Sequence, residues 1–352
     1  MRLLESPTMP SHPIITIKPL GFTWDTVDPF LFCAYHDDAY PVANAQMAPQ
    51  ASLAGRDIGQ DFSRKDGWSM YHGRSVPGFP SHPHRGFETV TIVRKGLIDH
   101  SDSLGARARF GQGDVQWLTA GQGVVHSEMF PLLNTAAPNP LELFQIWLNL
   151  PAVNKMAAPY FTMFWADRIP HATVADDDGR ETEVAVIAGN LPSANTPLAA
   201  PPASWAAQAD ADVAIWTLRM APGAHWTLPA TAGEQTQRSL YFFKGEQVEV
   251  GGELLMQHAA IELAGCAVTL VNRGSKDAEF LLLQGKPIGE PVAQYGPFVM
   301  NTQAEIRQTV ADYQRTQFGG WPWDDSGPVH GREPARFARY PDGRETRPAS
   351  ND

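Results

Sequence analysis

The chain has 352 residues, 43% hydrophobic and 18% charged, with 27 Lys and Arg against 38 Asp and Glu for a formal net charge of −11. That length is too great for one ordinary domain and suits two cores with an appendage; the acidic balance excludes a whole-chain electrostatic footprint for nucleic acid or anionic lipid. With 30 Gly and 30 Pro, the chain is expected to be all-β, built from short strands and many turns.

Residues 1–32 alternate around Ile14, Ile15 and Ile17, then Phe22 and Trp24, and reach Asp28-Pro-Phe-Leu31, a strand, turn, strand pattern with no chemistry in it. From about residue 37 to 70 the pattern loosens, with mixed charge and no sustained period. This is expected to be an insertion whose second half packs through Trp68, Met70 and Tyr71, and which borders the mouth of the first barrel.

Then comes Ser81-His-Pro-His-Arg-Gly-Phe-Glu-Thr-Val-Thr91, answered by Gly121-Gln-Gly-Val-Val-His-Ser-Glu-Met129. His82 and His84 are two apart, as are His126 and Glu128, and residues i and i+2 of a strand point to one face. If the two strands face one another inside a small barrel, three imidazoles and one carboxylate converge, a set that suits a divalent transition metal. Octahedral coordination by those four would leave two positions open for a substrate or dioxygen.

Between the two motifs, Thr89-Val-Thr-Ile-Val93 is β-branched, Lys95-Gly96 turns, and Leu97 to Asp102 returns as the second arm of a hairpin. Ala106 to Phe110 and Asp114-Val-Gln-Trp-Leu118 follow as further strands. Gln116 and Trp117 lie on opposite faces of theirs, so one of the two faces the interior. Gly121 and Gly123 are read as turns rather than a dinucleotide loop, because His126 stands where GxGxxG needs its last Gly. Leu143-Phe-Gln-Ile-Trp-Leu-Asn-Leu150 is another strand, and Gln145 within it needs a partner if its amide points inward.

The segment 151–170 is expected to cross between domains. Six more short apolar runs, from Val184 to Leu283, suggest a second barrel, interrupted by the proline-rich loop Leu191 to Pro202. His225 and His258 have no HxH partner there. Thr302-Gln-Ala-Glu305 is a capping box opening one helix, with Ile306, Val310 and Tyr313 on a common face. The expected division is a metal-binding domain over 1–151, a second domain without metal over 152–318 ending in that helix, and an extended tail over 319–352 whose last ten residues are disordered.

Cys33 and Cys266 are the only cysteines, far apart and in no CxxC spacing, so neither a disulfide framework nor a thiolate metal site is expected. The first residues lack the apolar core of a secretory signal, and no apolar run approaches the roughly 18 residues that span a bilayer. A soluble protein of a reducing compartment, the cytoplasm, fits these features.

Gly78-Phe-Pro-Ser-His-Pro-His-Arg-Gly-Phe-Glu-Thr-Val-Thr91, Gly113-Asp-Val-Gln-Trp-Leu-Thr-Ala-Gly-Gln-Gly-Val-Val-His-Ser-Glu-Met129, Gln145-Ile-Trp-Leu-Asn-Leu-Pro151 and Gly289-Glu-Pro-Val-Ala-Gln-Tyr-Gly-Pro-Phe-Val-Met-Asn301 resemble the pirin family of the cupin superfamily. The resemblance implies two cupin-type barrels, the first holding a mononuclear iron, Fe(II), on His82, His84, His126 and Glu128, the second without metal. It also implies two activities of different kinds. One is a dioxygenase that cleaves a flavonol or other small aromatic diol, as quercetinases do, with Glu128 as ligand and base; the other is a redox regulator whose iron state alters binding to a transcription or metabolic protein. The general cupin pattern would make Glu88 a ligand where the pirin pattern uses Glu128, so Glu88 is expected behind the ligands or in a structural role, and Gln145 behind the ligands. The 37–70 stretch is longer than the connection in compact pirins, so substrate access does not carry over from them.

Overall fold

Strands carry nearly all of the regular structure, in a computed structural model that describes residues 12–349. Contacts divide the chain into two units. One, which holds both histidine motifs, comprises Phe30–Arg168, Ala200–Trp205 and the chain from Ile288 onward; the other comprises the chain up to Pro29, Ile169–Ala199 and Ala206–Pro287.

In the first unit, one sheet orders its strands Tyr160–Phe164, Val115–Thr119, Phe87–Lys95, Asn139–Asn149 and Phe30–Tyr40. The other orders Glu345–Thr346, Phe337–Arg339, Arg107–Gly111, Leu97–Asp102, Val124–Met129 and Gly78–His84. Every pairing within these sheets is antiparallel. The β-branched run predicted to be a strand is buried from Phe87 to Val93 on both of its faces, because one face looks into the barrel and the other is covered. Below the histidines the interior is apolar, with Val93, Phe110, Leu118, Leu143 and Phe161 in one cluster.

The second unit pairs a seven-stranded sheet, running from Ile14–Pro19 through Ala259–Leu263 and Gln237–Lys244 to His171–Ala175, with a four-stranded one. Its interior is filled by Trp216, Leu218, Leu240, Phe242, Ile261, Phe280 and Leu282 among others. His225 and His258 lie on its surface.

These units depart from a division at residue 151, and three of the departures have a visible reason in pairing or packing. Ile14–Pro19 is an added strand of the second unit, along Ala259–Leu263. Tyr160–Phe164, expected to cross between domains, pairs with Val115–Thr119 in the first. Helix Gln303–Thr316 also belongs to the first unit. Its capping box is present, with Glu305 N donating to Thr302 Oγ1 at 3.2 Å and Thr302 N donating to Glu305 Oε2 at 2.8 Å, and Ile306 packs with Phe298 and Met300.

The insertion begins later than expected, since residues 37–40 continue the Phe30–Tyr40 strand. Its second half packs around Arg56, whose guanidinium reaches Asp61 at 2.9 Å and lies 3.4 Å over the Trp68 ring. Trp68, Met70 and Tyr71 are buried. The tail is described to residue 349, and the expected disorder of its last ten residues falls partly outside the described residues. Phe337–Arg339 extends a sheet along Arg107–Gly111, and the Trp323 indole donates to Asp102 O at 2.9 Å. No helix of the described residues is long and apolar enough to cross a membrane.

Candidate metal centre

Strands Gly78–His84 and Val124–Met129 are hydrogen-bonded neighbours, with His82 directly opposite His126. The sequence expectation of two strands facing one another is thereby corrected: the ligand strands meet by adjacency in one sheet. Directly opposite residues share a face, so His82, His84 and His126 crowd together, and one ring nitrogen of each lies within 4.8 Å of the others. Glu128 follows on the same face, its Oε2 4.0 Å from His126 Nε2.

A tight turn sets the strand that carries two of these rings. Gly86 has φ +87°, and a Cβ there would sit 1.9 Å from Val299 O, so no side chain fits. The buried ammonium of Lys155 donates to Gly86 O at 2.9 Å, Asn149 Oδ1 at 2.7 Å and Val299 O at 3.2 Å, which satisfies its three protons. Arg85, between the motif and the turn, reaches Asp312 of the helix at 2.9 Å.

The protonation chemistry favours metal binding. Burial lowers the His82 pKa to about 4, and burial with the neighbouring imidazoles holds His84 and His126 well below the usual histidine range. All three are therefore neutral near pH 7, the form with a lone pair to give. His82 Nδ1 lies 2.9 Å from Pro80 O; a carbonyl only accepts, so the proton is on Nδ1 and Nε2 is the donor to a metal. Both ring nitrogens of His126 and Nδ1 of His84 are buried without a hydrogen-bond partner among the described residues. Leaving such nitrogens unmet costs about 1–3 kcal/mol each, and a metal relieves that cost, so this donor set fits a divalent transition metal.

Burial raises the Glu128 pKa, and two side chains from the opposite sheet hold the carboxylate. Thr91 Oγ1 is 2.9 Å from Glu128 Oε1 and 2.8 Å from Gln145 Oε1, and Gln145 Nε2 is 3.4 Å from Glu128 Oε2. Gln145 thus stands where its mid-strand position suggested, behind Glu128; Thr91 escaped the sequence reading. Gln116 lies opposite Thr91 and so faces inward, while Trp117 faces out.

Glu88 is three residues from Thr91 on one strand and faces the other side. Its carboxyl accepts from Thr119 Oγ1 at 2.6 Å and Ser204 Oγ at 2.5 Å, and burial lifts its pKa to about 7. It therefore faces away from the imidazoles and Glu128.

The sequence reading also missed His100 and Asp102. They lie opposite Glu128 and His126, with His100 Nε2 3.1 Å from Asp102 Oδ2. Asp102 Oδ1 accepts from Leu104 N and Ala106 N at 2.9 Å each. The alternation of His100 and Asp102 in a strand was a signal available in the sequence. The tail seals this side: His330 Nε2 donates to His100 O at 2.8 Å, and Ser326 O accepts from Ser81 N at 2.7 Å.

Compared with known proteins, residues 18–148 match the Pirin family and residues 215–319 the Pirin C-terminal cupin domain. A Pseudomonas aeruginosa protein named provisionally as a quercetin 2,3-dioxygenase is 36% identical over 242 residues, 68% of this chain and 79% of that one. A pirin-like protein of Solanum lycopersicum is 34% identical over 281 residues, 78% of this chain and 89% of that one. Among solved structures, a quercetin 2,3-dioxygenase from Acinetobacter baumannii superposes with a TM-score of 0.65 at 27% identity, covering 88% of this chain and 96% of that one.

Proposed function

Because the chain belongs to the pirin family, we propose that it is a mononuclear iron oxygenase acting on a flavonol or other small aromatic diol, with His82, His84, His126 and Glu128 as ligands. The observation that carries this reading is the convergence of three buried, neutral imidazoles beside a buried carboxylate. Of the three rings only His82 is partly exposed, which gives the centre one open side for a substrate. The similarity to a solved quercetin 2,3-dioxygenase supports the substrate class.

Bound Fe(II) would supply binding positions for substrate oxygen and for dioxygen, and the redox capacity of the reaction. The protein's own part is to hold and orient. Glu128, raised in basicity by burial, takes the substrate's hydroxyl proton at Oε2, and Thr91 and Gln145 keep that carboxylate aimed. The buried Phe87 ring, 5.1 Å from His84, excludes water behind that imidazole, and the half-buried Trp147 ring lies 5.5 Å from it. Two free cysteines support a reducing compartment, and we place the protein in the cytoplasm.

The test is oxygen consumption by anaerobically iron-loaded protein with quercetin. Turnover per bound iron that is lost in Glu128→Gln supports the reading. Iron-loaded protein that leaves quercetin untouched, yet binds a protein partner differently in its two oxidation states, would transfer the iron to a regulatory role.

A further inference from the structure

The open side of the centre is bordered by aromatic residues, Phe62 from the insertion and Tyr71, His72 and Phe79 from the chain that follows it. Phe79 precedes His82 by three residues, and a register shift between the two puts both on the inner face. Its ring meets His82 edge-on at 6.4 Å and stacks on Tyr71 at 5.1 Å. Farther out, Phe62 lies 6.4 Å and His72 5.5 Å from Phe79, with Phe62 and His72 5.2 Å from each other. Phe62 is 38% exposed, so the series runs from solvent to a ligand ring.

This edge is built rather than loosely draped. Tyr71 has φ +55°, a conformation a tyrosine holds only where its surroundings over-determine it. Here its hydroxyl donates to Asp38 Oδ2 at 2.7 Å and accepts from His36 Nδ1 at 2.8 Å, and its backbone bridges Asp61 and Gly78. His72 is fixed by Nδ1 donating to Gly59 O at 2.8 Å. A fixed cluster of rings that meet mostly edge to face offers a border that complements a planar aromatic group.

We propose that Phe62 and His72 are specificity-determining residues that contact the ring of the substrate remote from its metal-binding oxygens, so that the protein selects two-ring or larger aryl diols over single-ring catechols. This rests on the oxygenase reading of the same centre. A single-ring diol at the metal would reach Phe79, the ring next to His82, whereas the pendant aryl ring of a flavonol would extend outward toward Phe62 and His72.

The experiment uses the full chain loaded with zinc, which binds without turnover, and measures dissociation constants for quercetin by fluorescence quenching and for catechol by competition. Phe62→Ala should weaken quercetin about 3- to 10-fold, leave catechol unchanged, and recover in Phe62→Tyr. Phe62 is exposed, so these variants keep the fold, which the melting temperature verifies. An unchanged quercetin constant in Phe62→Ala, an equal loss for catechol, or no quercetin binding by the unsubstituted protein would overturn the proposal. Oxygen consumption of the iron-loaded protein separates the two readings, since quercetin bound with this selectivity but not oxidised removes the oxygenase and leaves the aromatic subsite in place.

Discussion

The two units share an architecture of antiparallel sheets closing on an interior, and they fill that interior differently. In the second, Trp216, Leu240, Phe242, Ile261 and Phe280 leave the centre apolar. In the first, His84, Thr91, His100, Asp102, Gln116, His126 and Glu128 are all buried, and the apolar packing is confined below them. Burying an unpaired polar group costs free energy that burying Phe or Leu gains. One barrel therefore spends its interior on stability, while the other keeps a layer that a bound metal and a substrate would complete.

The comparison breaks most directly at Phe242. Phe242→Ala should destabilise the second unit by about 3–5 kcal/mol through the cavity it leaves, read as a lower denaturation midpoint, while metal content per folded chain stays the same. A loss of metal in that variant would mean that the two interiors are not independent.

Glu88 sharpens it through pH. Its pKa is about 7 in the folded chain against 4.5 for an ordinary glutamate, so between those values the native state holds a proton that the unfolded chain has released. The contribution of this carboxyl to stability is then fully present below about pH 4.5 and is lost, by about 3 kcal/mol, as pH rises through 7. Glu88→Gln, which is neutral throughout, should flatten that part of the stability profile without changing metal content. A profile identical to the unsubstituted protein's would exclude this carboxyl as its source.

Thr91 should give the smallest effect. Thr91→Val keeps the shape and removes the hydroxyl that holds Glu128 and Gln145, which should weaken metal binding about 10- to 100-fold with little change in melting of the metal-free protein. Competition with a chelator of known affinity measures it, and an unchanged affinity would show that Glu128 needs no such support.

Much of the first interior was legible because strand alternation is local. HxH and HxE name four inward positions once two strands are recognised, and β-branched runs such as Thr89 to Val93 mark those strands. Gln145 was legible for the same reason, a polar residue breaking an apolar strand. What escaped depended on pairing across long distances. Thr91 is unremarkable until its strand is placed opposite Glu128, and the alternation of His100 and Asp102 gains its meaning only when their strand is placed beside Glu128 and His126. Ile14–Pro19 reads as the first strand of a first domain, and only its pairing with Ala259–Leu263 assigns it to the second unit. The tail reads by composition only as extended, yet Phe337–Arg339 finds the edge of Arg107–Gly111, and such edge pairing leaves no local signature. Glu88 was left between a place behind the ligands and a structural role, because a motif does not show which face a residue takes; strand parity with Thr91 puts it on the other face.

The central claim is that His82, His84, His126 and Glu128 hold one iron. Metal analysis of anaerobically purified protein beside His84→Ala tests it most directly. The account predicts one iron per chain in the unsubstituted protein, none in the variant, and a melting transition that chelator lowers only in the former. Stoichiometric metal in His84→Ala, with a melting temperature that chelator leaves unchanged, would contradict it.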